Sequence, residues 1–296
     1  MKRLLFIYNP QAGKGQVRLH LAGILNAFVR CGYLATACPT QGPGDGTLRA
    51  AALGDKFSRV VCCGGDGTLN EVVTGLLTLE KPPVLGYIPA GTTNDFSRNL
   101  SLPRGMEQAA ETAVTGRLMP CDMGRFNERT FVYVAAFGAF TQVSYDTPQS
   151  FKNMFGHLAY LMEGVTKLSS IRSYHLTIEH DGVTDEGDYI FGMVSNTISV
   201  GGFRGLPKSQ VELDDGLFEV ILVHQPESVA ELNSIFASLA QSKAVPGGVV
   251  EAFHAASLRF TADEDIAWTL DGEYGGNPRT VSIQNRHQVL SIVTGK

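Results

Sequence analysis

The hydrophobic pattern of the first 120 residues alternates between short, uninterrupted apolar runs and longer segments that carry a single apolar stripe. An uninterrupted run predicts a strand that is covered on both faces, whereas a stripe at helical spacing predicts an amphipathic helix. The predicted strands are residues 4–8, 34–38, 59–63 and 84–88. The predicted helices are residues 16–30, 47–53, 68–79 and 106–115. Strands and helices in strict alternation predict a parallel sheet with right-handed crossovers.

Strands dominate the pattern after residue 121, where pairs of turn residues separate the apolar runs. Asn127-Glu128 and Asp181-Gly182 lie between such runs, as hairpin turns do. Two helical segments interrupt the strands, at residues 152–168 and 229–241. The later predicted strands are residues 218–224, 257–261, 266–270 and 281–293. This half therefore predicts a second, mostly antiparallel β domain, folded as a sandwich.

Length, charge and cysteine content narrow the class of protein. A chain of 296 residues fits two domains, and a net charge of −5 argues against a nucleic-acid partner. No apolar run is long enough to span a bilayer, and the run after Met1-Lys2-Arg3 ends at Tyr8, too early for a signal peptide. A cytoplasmic location is therefore expected. The five cysteines form no C-x-x-C pair, so neither a zinc site nor a disulfide framework is predicted.

The strongest chemical signal is the string CGGDGTLNE at residues 63–71, which lies between a buried strand and an amphipathic helix. Glycines let a phosphate approach the backbone, and the helix start behind them offers free N–H groups. Thr68 and Glu71 have the spacing of a capping box, which predicts the start of that helix. Asp66 adds a carboxylate that repels phosphates unless a cation or water lies between them. The string therefore predicts a phosphate site that uses Mg²⁺.

Two more polar loops follow strands of the same predicted sheet, the strings NPQAGKG at residues 9–15 and PAGTTNDF at residues 89–96. The first is not a P-loop, because the GxxxxGK[ST] spacing is absent. Loops at the carboxyl ends of parallel strands share one edge of the sheet, where ligands bind in open α/β folds. We therefore expect all three loops to converge on one ligand.

Two acidic turns lie in the β-rich half, ELDDGL at residues 212–217 and DGEYGG at residues 271–276. Oxygen-rich turns suit a hard cation. Asp-Gly is also an ordinary turn signal, so each string taken alone is better explained by a hairpin turn, with Glu273 as a solvated acid.

Taken together, the strings at residues 9–15, 64–71, 91–96, 214–217 and 270–276 resemble the diacylglycerol kinase catalytic family in order and approximate spacing. The string TQVSYDTP at residues 141–148 strengthens the resemblance to the soluble members from Gram-positive bacteria. The resemblance covers essentially the whole chain. It implies a Rossmann-like nucleotide-binding α/β domain followed by an antiparallel β-sandwich domain, and an ATP- and Mg²⁺-dependent kinase that converts diacylglycerol to phosphatidic acid.

The resemblance also implies domain bounds and site residues. The ATP-binding domain is expected at residues 1–121 with a returning tail at 288–296, and the lipid-substrate and metal domain at 122–287. The implied nucleotide-binding residues are Asn9, Pro10, Gln11, Ala12, Gly13, Thr40, Gly65, Asp66, Gly67, Thr68, Leu69, Asn70, Glu71 and Thr92.

The remaining implied roles concern catalysis and the metal. The resemblance implies Glu273 as the general base, and a Mg²⁺ ion held by Asp215 and by the backbone oxygens of Glu212 and Leu217. Asp66 is implied to reach that ion through water and is a second catalytic candidate. Asn94 and Asp95 are candidates for the substrate side of the site.

A basic, apolar segment at residues 150–172, with Lys152, Lys167 and Arg172, predicts transient contact with the inner face of the membrane; packing of its apolar face on the sandwich is an equal alternative. Other functions also stay open: a kinase for phosphatidylglycerol, a sphingosine-like lipid or undecaprenol, a soluble-substrate kinase such as NAD kinase, or a nucleotide-binding regulator without turnover. The oligomeric state stays open too, a homodimer included.

Overall fold

The computed structural model describes residues 2–138, 171–197, 212–240 and 248–295. The chain forms two compact units, one of Met1–Met123 with His287–Lys296 and one of Gly124–Arg286. The predicted helix at 152–168 and the string at 141–148 lie outside the described residues. Within the described residues, no helix combines the length and the apolar character needed to cross a membrane.

The first unit contains four consecutive strand–helix repeats. Its strands are β1 (Lys2–Tyr8), β2 (Tyr33–Pro39), β3 (Arg59–Gly64) and β4 (Val84–Pro89). Its helices are α1 (Gln16–Arg30), α2 (Asp45–Leu53), α3 (Asp66–Leu76) and α4 (Met106–Thr115). The long strands β5 (Arg117–Phe126) and β15 (Thr280–Thr294) contribute residues to both units.

The sheet of the first unit has the order β2-β1-β3-β4-β15, and all of these neighbours are parallel. The predicted parallel sheet is therefore confirmed. Helix α1 has the predicted bounds because glycines with positive φ stand at both ends: Gly15 (φ 81°) precedes it and Gly32 (φ 84°) follows its C-cap. Its apolar stripe packs with α4 and β1 in one buried cluster.

The C-terminal segment joins the first unit through a buried carboxylate. Oδ1 of Asp122, which is fully buried, accepts the Gln288 N–H at 2.7 Å and lies 3.1 Å from Nδ1 of His287. Near the end of the chain, the Gly295 N–H donates to the Leu100 carbonyl at 2.8 Å. These bonds hold the end of β15 beside β4, where Ile292 aligns with Leu85.

The described strands that lie wholly within the second unit are β6 (Arg129–Phe131), β7 (Val134–Gly138), β8 (Tyr174–His180), β9 (Val183–Ser195), β10 (Phe218–His224), β11 (Val250–Ala255), β12 (Ser257–Ala262), β13 (Trp268–Leu270) and β14 (Glu273–Gly276). Helix α5 covers Val229–Ala240. The strand β9 pairs along its first half with β8 and along its second half with β7 and β10. These and the pairs β12–β15, β12–β8, β13–β7 and β10–β11 are antiparallel, as predicted.

Both predicted hairpin turns are present. Asn127-Glu128 joins β5 to β6, and Asp181-Gly182 joins β8 to β9, each with two residues between paired strands. The core of this unit is rich in aromatic side chains. The indole of Trp268 lies 4.9–5.2 Å, centroid to centroid, from the rings of Phe126, Phe137 and Phe260.

Candidate functional site

The loops that follow the parallel strands of the first unit meet at one edge of the sheet, as the sequence predicts. Backbone hydrogen bonds continue past the strand ends: the Asn9 N–H donates to Cys63 O, the Thr40 N–H to Tyr8 O and the Ala90 N–H to Gly64 O, at 2.8–2.9 Å. The candidate nucleotide residues of all four loops are therefore brought together at the carboxyl edge of the sheet.

Two glycines allow the β3 and β4 loops to touch. A Cβ atom on Gly91 would lie 2.5 Å from the Gly65 Cα atom, a distance that real Cβ atoms do not adopt. Similarly, a Cβ on Gly13 would meet the Ala90 carbonyl at 2.9 Å, and Gly13 has a φ of 60°. Only glycine fits at Gly91 and Gly13, so the loops approach one another backbone to backbone.

Helix α3 begins at Asp66, with Gly65 as its N-cap, and the capping-box prediction for Thr68 and Glu71 is wrong. The helix starts two residues earlier than predicted, since the chain leaves the extended conformation at Gly65. Gly65 has no side chain that could cap the helix. Thr68 therefore lies within the first turn. An N-terminus without a side-chain cap is a suitable place for a phosphate group.

The carboxylate of Glu71 binds helix α2. Its Oε1 accepts the Gly44 N–H at 2.7 Å and its Oε2 accepts the Gly46 N–H at 3.0 Å. The Thr47 hydroxyl donates to the Glu71 carbonyl at 2.9 Å. A carboxylate at a helix N-terminus satisfies free N–H groups and interacts favourably with the helix dipole. Glu71 therefore fixes the loop after β2, which carries Thr40.

The acidic residues of the β3 and β4 loops are linked to each other. Oδ2 of Asp66 accepts the Asp95 N–H at 3.3 Å, and Asp95 itself is fully buried. The hydroxyl of the buried Tyr87 donates to Gly64 O at 3.1 Å. Burial, with the charge of Asp66 next, raises the pKa of Tyr87, so its hydroxyl stays a neutral donor. Sequence reasoning missed Tyr87, although a tyrosine in a buried strand must find a hydrogen-bond partner.

Several candidate side chains hold their own loops. Asn94 (φ 49°) accepts the Gly91 N–H at 2.8 Å and donates to the Gly91 carbonyl at 2.9 Å. The side chain of Asn9 accepts the Gln11 N–H at 2.9 Å. Leu69 is 1% exposed and belongs to the core. Thr92 is exposed at its loop tip. The polar side chains of Asn9 and Asn94 thus shape the strand-end loops.

In the second unit, the predicted base Glu273 is exposed at the start of β14. It follows a two-residue turn, Asp271-Gly272, in which both residues have positive φ. The carboxylate of Asp271, which is 5% exposed, accepts N–H groups from Val132, Tyr133 and Val134 at 2.6–3.0 Å. The turn is therefore fixed to the start of β7.

The predicted metal ligands lie on the segment before β10. Asp215 is exposed, its Oδ1 accepts the Leu217 N–H at 2.9 Å, and the Leu217 carbonyl accepts the Asn285 amide at 3.2 Å. Among the described residues, no three His, Cys, Asp or Glu side chains form a group able to hold a metal. The predicted ligand set is not such a group, because it contains one side-chain carboxylate and two backbone carbonyls. The Leu217 carbonyl already accepts the Asn285 amide, and a carbonyl oxygen can take a second partner.

A buried acid beside Asp215 bears on whether a cation fits. Glu219 is 3% exposed, and its Oε2 has no hydrogen-bond partner within the described part of the chain. Burial raises the pKa of Glu219 to about 8, and the charge of Asp215 contributes in the same direction. The buried Oε2 of Glu219 adds an oxygen close in sequence to the predicted ligands, which are themselves all oxygens, so the donor set fits a hard cation such as Mg²⁺.

The predicted membrane segment lies mostly outside the described residues, Lys152 and Lys167 included. Arg172 is described: its guanidinium pairs with the Glu264 carboxylate and lies 5.1 Å from the centroid of the Tyr174 ring. Its charge is therefore already engaged within the second unit.

Comparisons with known proteins extend over nearly the whole chain. The sequence profile described as "Diacylglycerol kinase catalytic domain" matches residues 3–126, and the profile described as "YegS C-terminal NAD kinase beta sandwich-like domain" matches residues 134–294. The chain is 37% identical over 279 residues to diacylglycerol kinase from Bacillus subtilis (strain 168), with 93% of this chain and 91% of the relative covered. It is 34% identical over 296 residues to diacylglycerol kinase from Staphylococcus carnosus, with 100% and 96% covered.

Solved structures from Bacillus anthracis Sterne share the fold. One, named as a diacylglycerol kinase, superposes with a TM-score of 0.77 at 23% identity. Another from the same organism gives a TM-score of 0.85 at 23% identity. Each covers 99% of this chain and 97% of its own. The α/β domain followed by a β-sandwich-like domain is thus the fold of this chain, as predicted.

Replacing Glu71 tests whether its carboxylate holds the start of α2 or binds the nucleotide. Glu71→Gln exchanges one acceptor oxygen for an amide that faces a backbone N–H, so we expect a loss of roughly 1–3 kcal/mol in unfolding free energy. Chemical denaturation followed by circular dichroism measures it. Glu80→Gln, at an exposed acid of the same unit, is the control and should change stability by less than about 0.5 kcal/mol. Unchanged stability with weakened ATP binding would instead place the Glu71 side chain on the nucleotide.

Proposed function

The chain belongs to the diacylglycerol kinase catalytic family, and from this membership we propose that it transfers the γ-phosphoryl group of ATP to the primary hydroxyl of diacylglycerol. The products are phosphatidic acid and ADP. The observation that carries the ATP part of the proposal is the convergence of the strand-end loops of the first unit. These loops surround the start of α3, which has no side-chain cap and is therefore a suitable place for phosphate oxygens.

The nucleotide would lie along residues 9–13, 40, 65–71 and 92, with its phosphates against the start of α3. In this arrangement, Leu69 contributes through its backbone, since its side chain is in the core. Glu71 contributes by holding the loop after β2. Asp66 and Asp95 would form the acidic side of the site, where the Asp66 carboxylate accepts the Asp95 N–H. Asp66 would be the second catalytic residue.

Glu273 would act as the general base. As the substrate hydroxyl attacks the γ-phosphorus, its proton passes to the Glu273 carboxylate, a bond forms between the hydroxyl oxygen and phosphorus, and the bond to the β–γ bridging oxygen breaks. Phosphoryl transfer depends mainly on positioning and charge stabilisation, to which a general base adds about 10²–10⁴-fold. Exposure of Glu273 at the start of β14 is consistent with access to a substrate hydroxyl.

Asp215, with the backbone oxygens of Glu212 and Leu217, would hold a Mg²⁺ ion. When bound, the ion supplies positive charge that offsets the charge of the phosphates. The buried Oε2 of Glu219, which has no hydrogen-bond partner among the described residues, supports this assignment. Because diacylglycerol resides in membranes, the proposal includes transient contact with a membrane surface.

The acceptor is tested directly by an ATP-dependent phosphorylation screen in mixed micelles. The panel contains diacylglycerol, phosphatidylglycerol, sphingosine and undecaprenol, together with NAD as a soluble acceptor. We expect diacylglycerol to have the highest kcat/KM. A higher kcat/KM for another lipid would identify that lipid as the substrate, and the protein would still be a lipid kinase. Phosphorylation of NAD alone would contradict the proposal, and ATP binding without any phosphorylation would favour a regulatory protein.

Glu273→Gln tests the base, because the amide has nearly the same shape and cannot take the proton. We expect kcat to fall at least about 100-fold while ATP binding and thermal unfolding stay near those of the unchanged protein. Retention of more than roughly a tenth of the activity would rule out this role. Calorimetric titration with ATP and a thermal melt provide the two control measurements.

Asp215→Ala tests the cation site without any substrate. A ligand that binds only the folded state raises Tm, so we expect Mg²⁺ to raise Tm in the unchanged protein and to have no effect in this variant. The control is Glu227→Ala, which removes an exposed acid of the same unit and should keep the rise. An equal rise in Asp215→Ala would place the ion elsewhere.

A further inference from the structure

The chain contains two Asp-Gly hairpins whose backbones are alike. Asp181 and Gly182 have φ of 47° and 80°, and Asp271 and Gly272 have φ of 50° and 87°. In each, two residues join directly paired strands. Positive φ at both positions is the two-residue turn for which Asp-Gly and Asn-Gly are preferred. Turn geometry alone therefore explains the aspartate in both places.

The two carboxylates differ completely in their surroundings. The side chain of Asp181 is 55% exposed and lies 3.7 Å from the His180 ring. Asp271 is 5% exposed, and its carboxylate accepts the N–H groups of Val132, Tyr133 and Val134. Its own N–H donates to the Val134 carbonyl at 2.9 Å. Four hydrogen bonds thus join Asp271 to three successive residues.

Tyr274, the residue after Glu273, is also held by a residue outside β14. The Arg129 guanidinium donates to the Tyr274 carbonyl at 3.0 Å. Glu273 therefore lies between Asp271 and Tyr274, which are both anchored by hydrogen bonds, while its own side chain is exposed. Its backbone is fixed, so the positions open to its carboxylate are limited to the rotamers of one side chain.

We propose that Asp271 is a positioning residue for Glu273: by binding the N–H groups of residues 132–134, its carboxylate sets where the Glu273 side chain leaves the backbone. The inference rests on the proposed role of Glu273 as the base. A base must lie within hydrogen-bond reach of the proton it accepts, and a misplacement of about 1 Å can cost about 10²-fold in rate.

Asp271→Asn is the sharpest test, because Asn-Gly keeps the turn type while the amide nitrogen cannot accept an N–H. We expect kcat to fall roughly 10- to 100-fold and the KM for ATP to stay within about twofold. The matched control is Asp181→Asn, which makes the same change at the other hairpin and should alter kcat by less than about twofold. The folded fraction at the assay temperature is followed by the fluorescence of Trp268, the single tryptophan of the chain.

A double-mutant cycle separates positioning from general support of the fold. If Asp271 acts through Glu273, adding Asp271→Asn to Glu273→Gln should lower kcat by less than about a further twofold. A full, multiplicative loss in the double variant would show that Asp271 supports the fold in general and would overturn the inference. A single Asp271→Asn variant with more than half the activity would overturn it as well. If Glu273→Gln keeps its activity, Glu273 is not the general base, and the positioning role of Asp271 is rejected with it.

Should Asp271→Asn fail to fold, Arg129→Met removes the neighbouring anchor at an exposed position. Positioning predicts a fall in kcat of roughly threefold to tenfold that disappears in the Glu273→Gln background. A fall that persists in that background, or no fall at all, would contradict it.

Discussion

Close contact between the β3 and β4 loops is the constraint on which the nucleotide half of the molecule depends. Gly65 and Gly91 face each other so closely that neither could carry a Cβ atom without moving the loops apart. Gly65 is also the N-cap of α3, so the same contact fixes where that helix starts. Tyr87 reinforces it, because its hydroxyl binds the Gly64 carbonyl from the neighbouring strand. The spacing of the two loops and the start of α3 therefore depend on one contact.

Carboxylates in this chain repeatedly serve as acceptors for backbone N–H groups that are distant in sequence. Glu71 binds the start of α2, Asp122 binds the returning C-terminal segment, and Asp271 binds the start of β7. An unpaired buried N–H group costs free energy comparable to a lost hydrogen bond, and an ionised acceptor forms a stronger bond than a neutral one. These acids therefore hold backbone segments in position through N–H groups that would otherwise lack these acceptors.

Much of this architecture could be predicted from the sequence, because it depends on local pattern. The bounds of α1 and α4 followed from apolar spacing, and the hairpin at Asn127-Glu128 followed from turn chemistry. The partners of Glu71 could not be predicted, because Gly44 and Gly46 precede it by more than twenty residues and carry no side chain to mark the contact. A local capping box was the nearest explanation in sequence, and it was wrong because the helix begins at Asp66, with Gly65 as its N-cap.

The two Asp-Gly hairpins show where sequence reasoning reaches its physical limit. The dipeptide encodes a backbone conformation, and that conformation is present at both positions. It does not encode what the carboxylate meets, since this depends on which strand packs beside the turn. Asp181 meets solvent and a histidine, whereas Asp271 meets three N–H groups at the start of β7. An aspartate that satisfies a turn rule can therefore carry a second role, because the turn uses its backbone and leaves its carboxylate available for contacts distant in sequence.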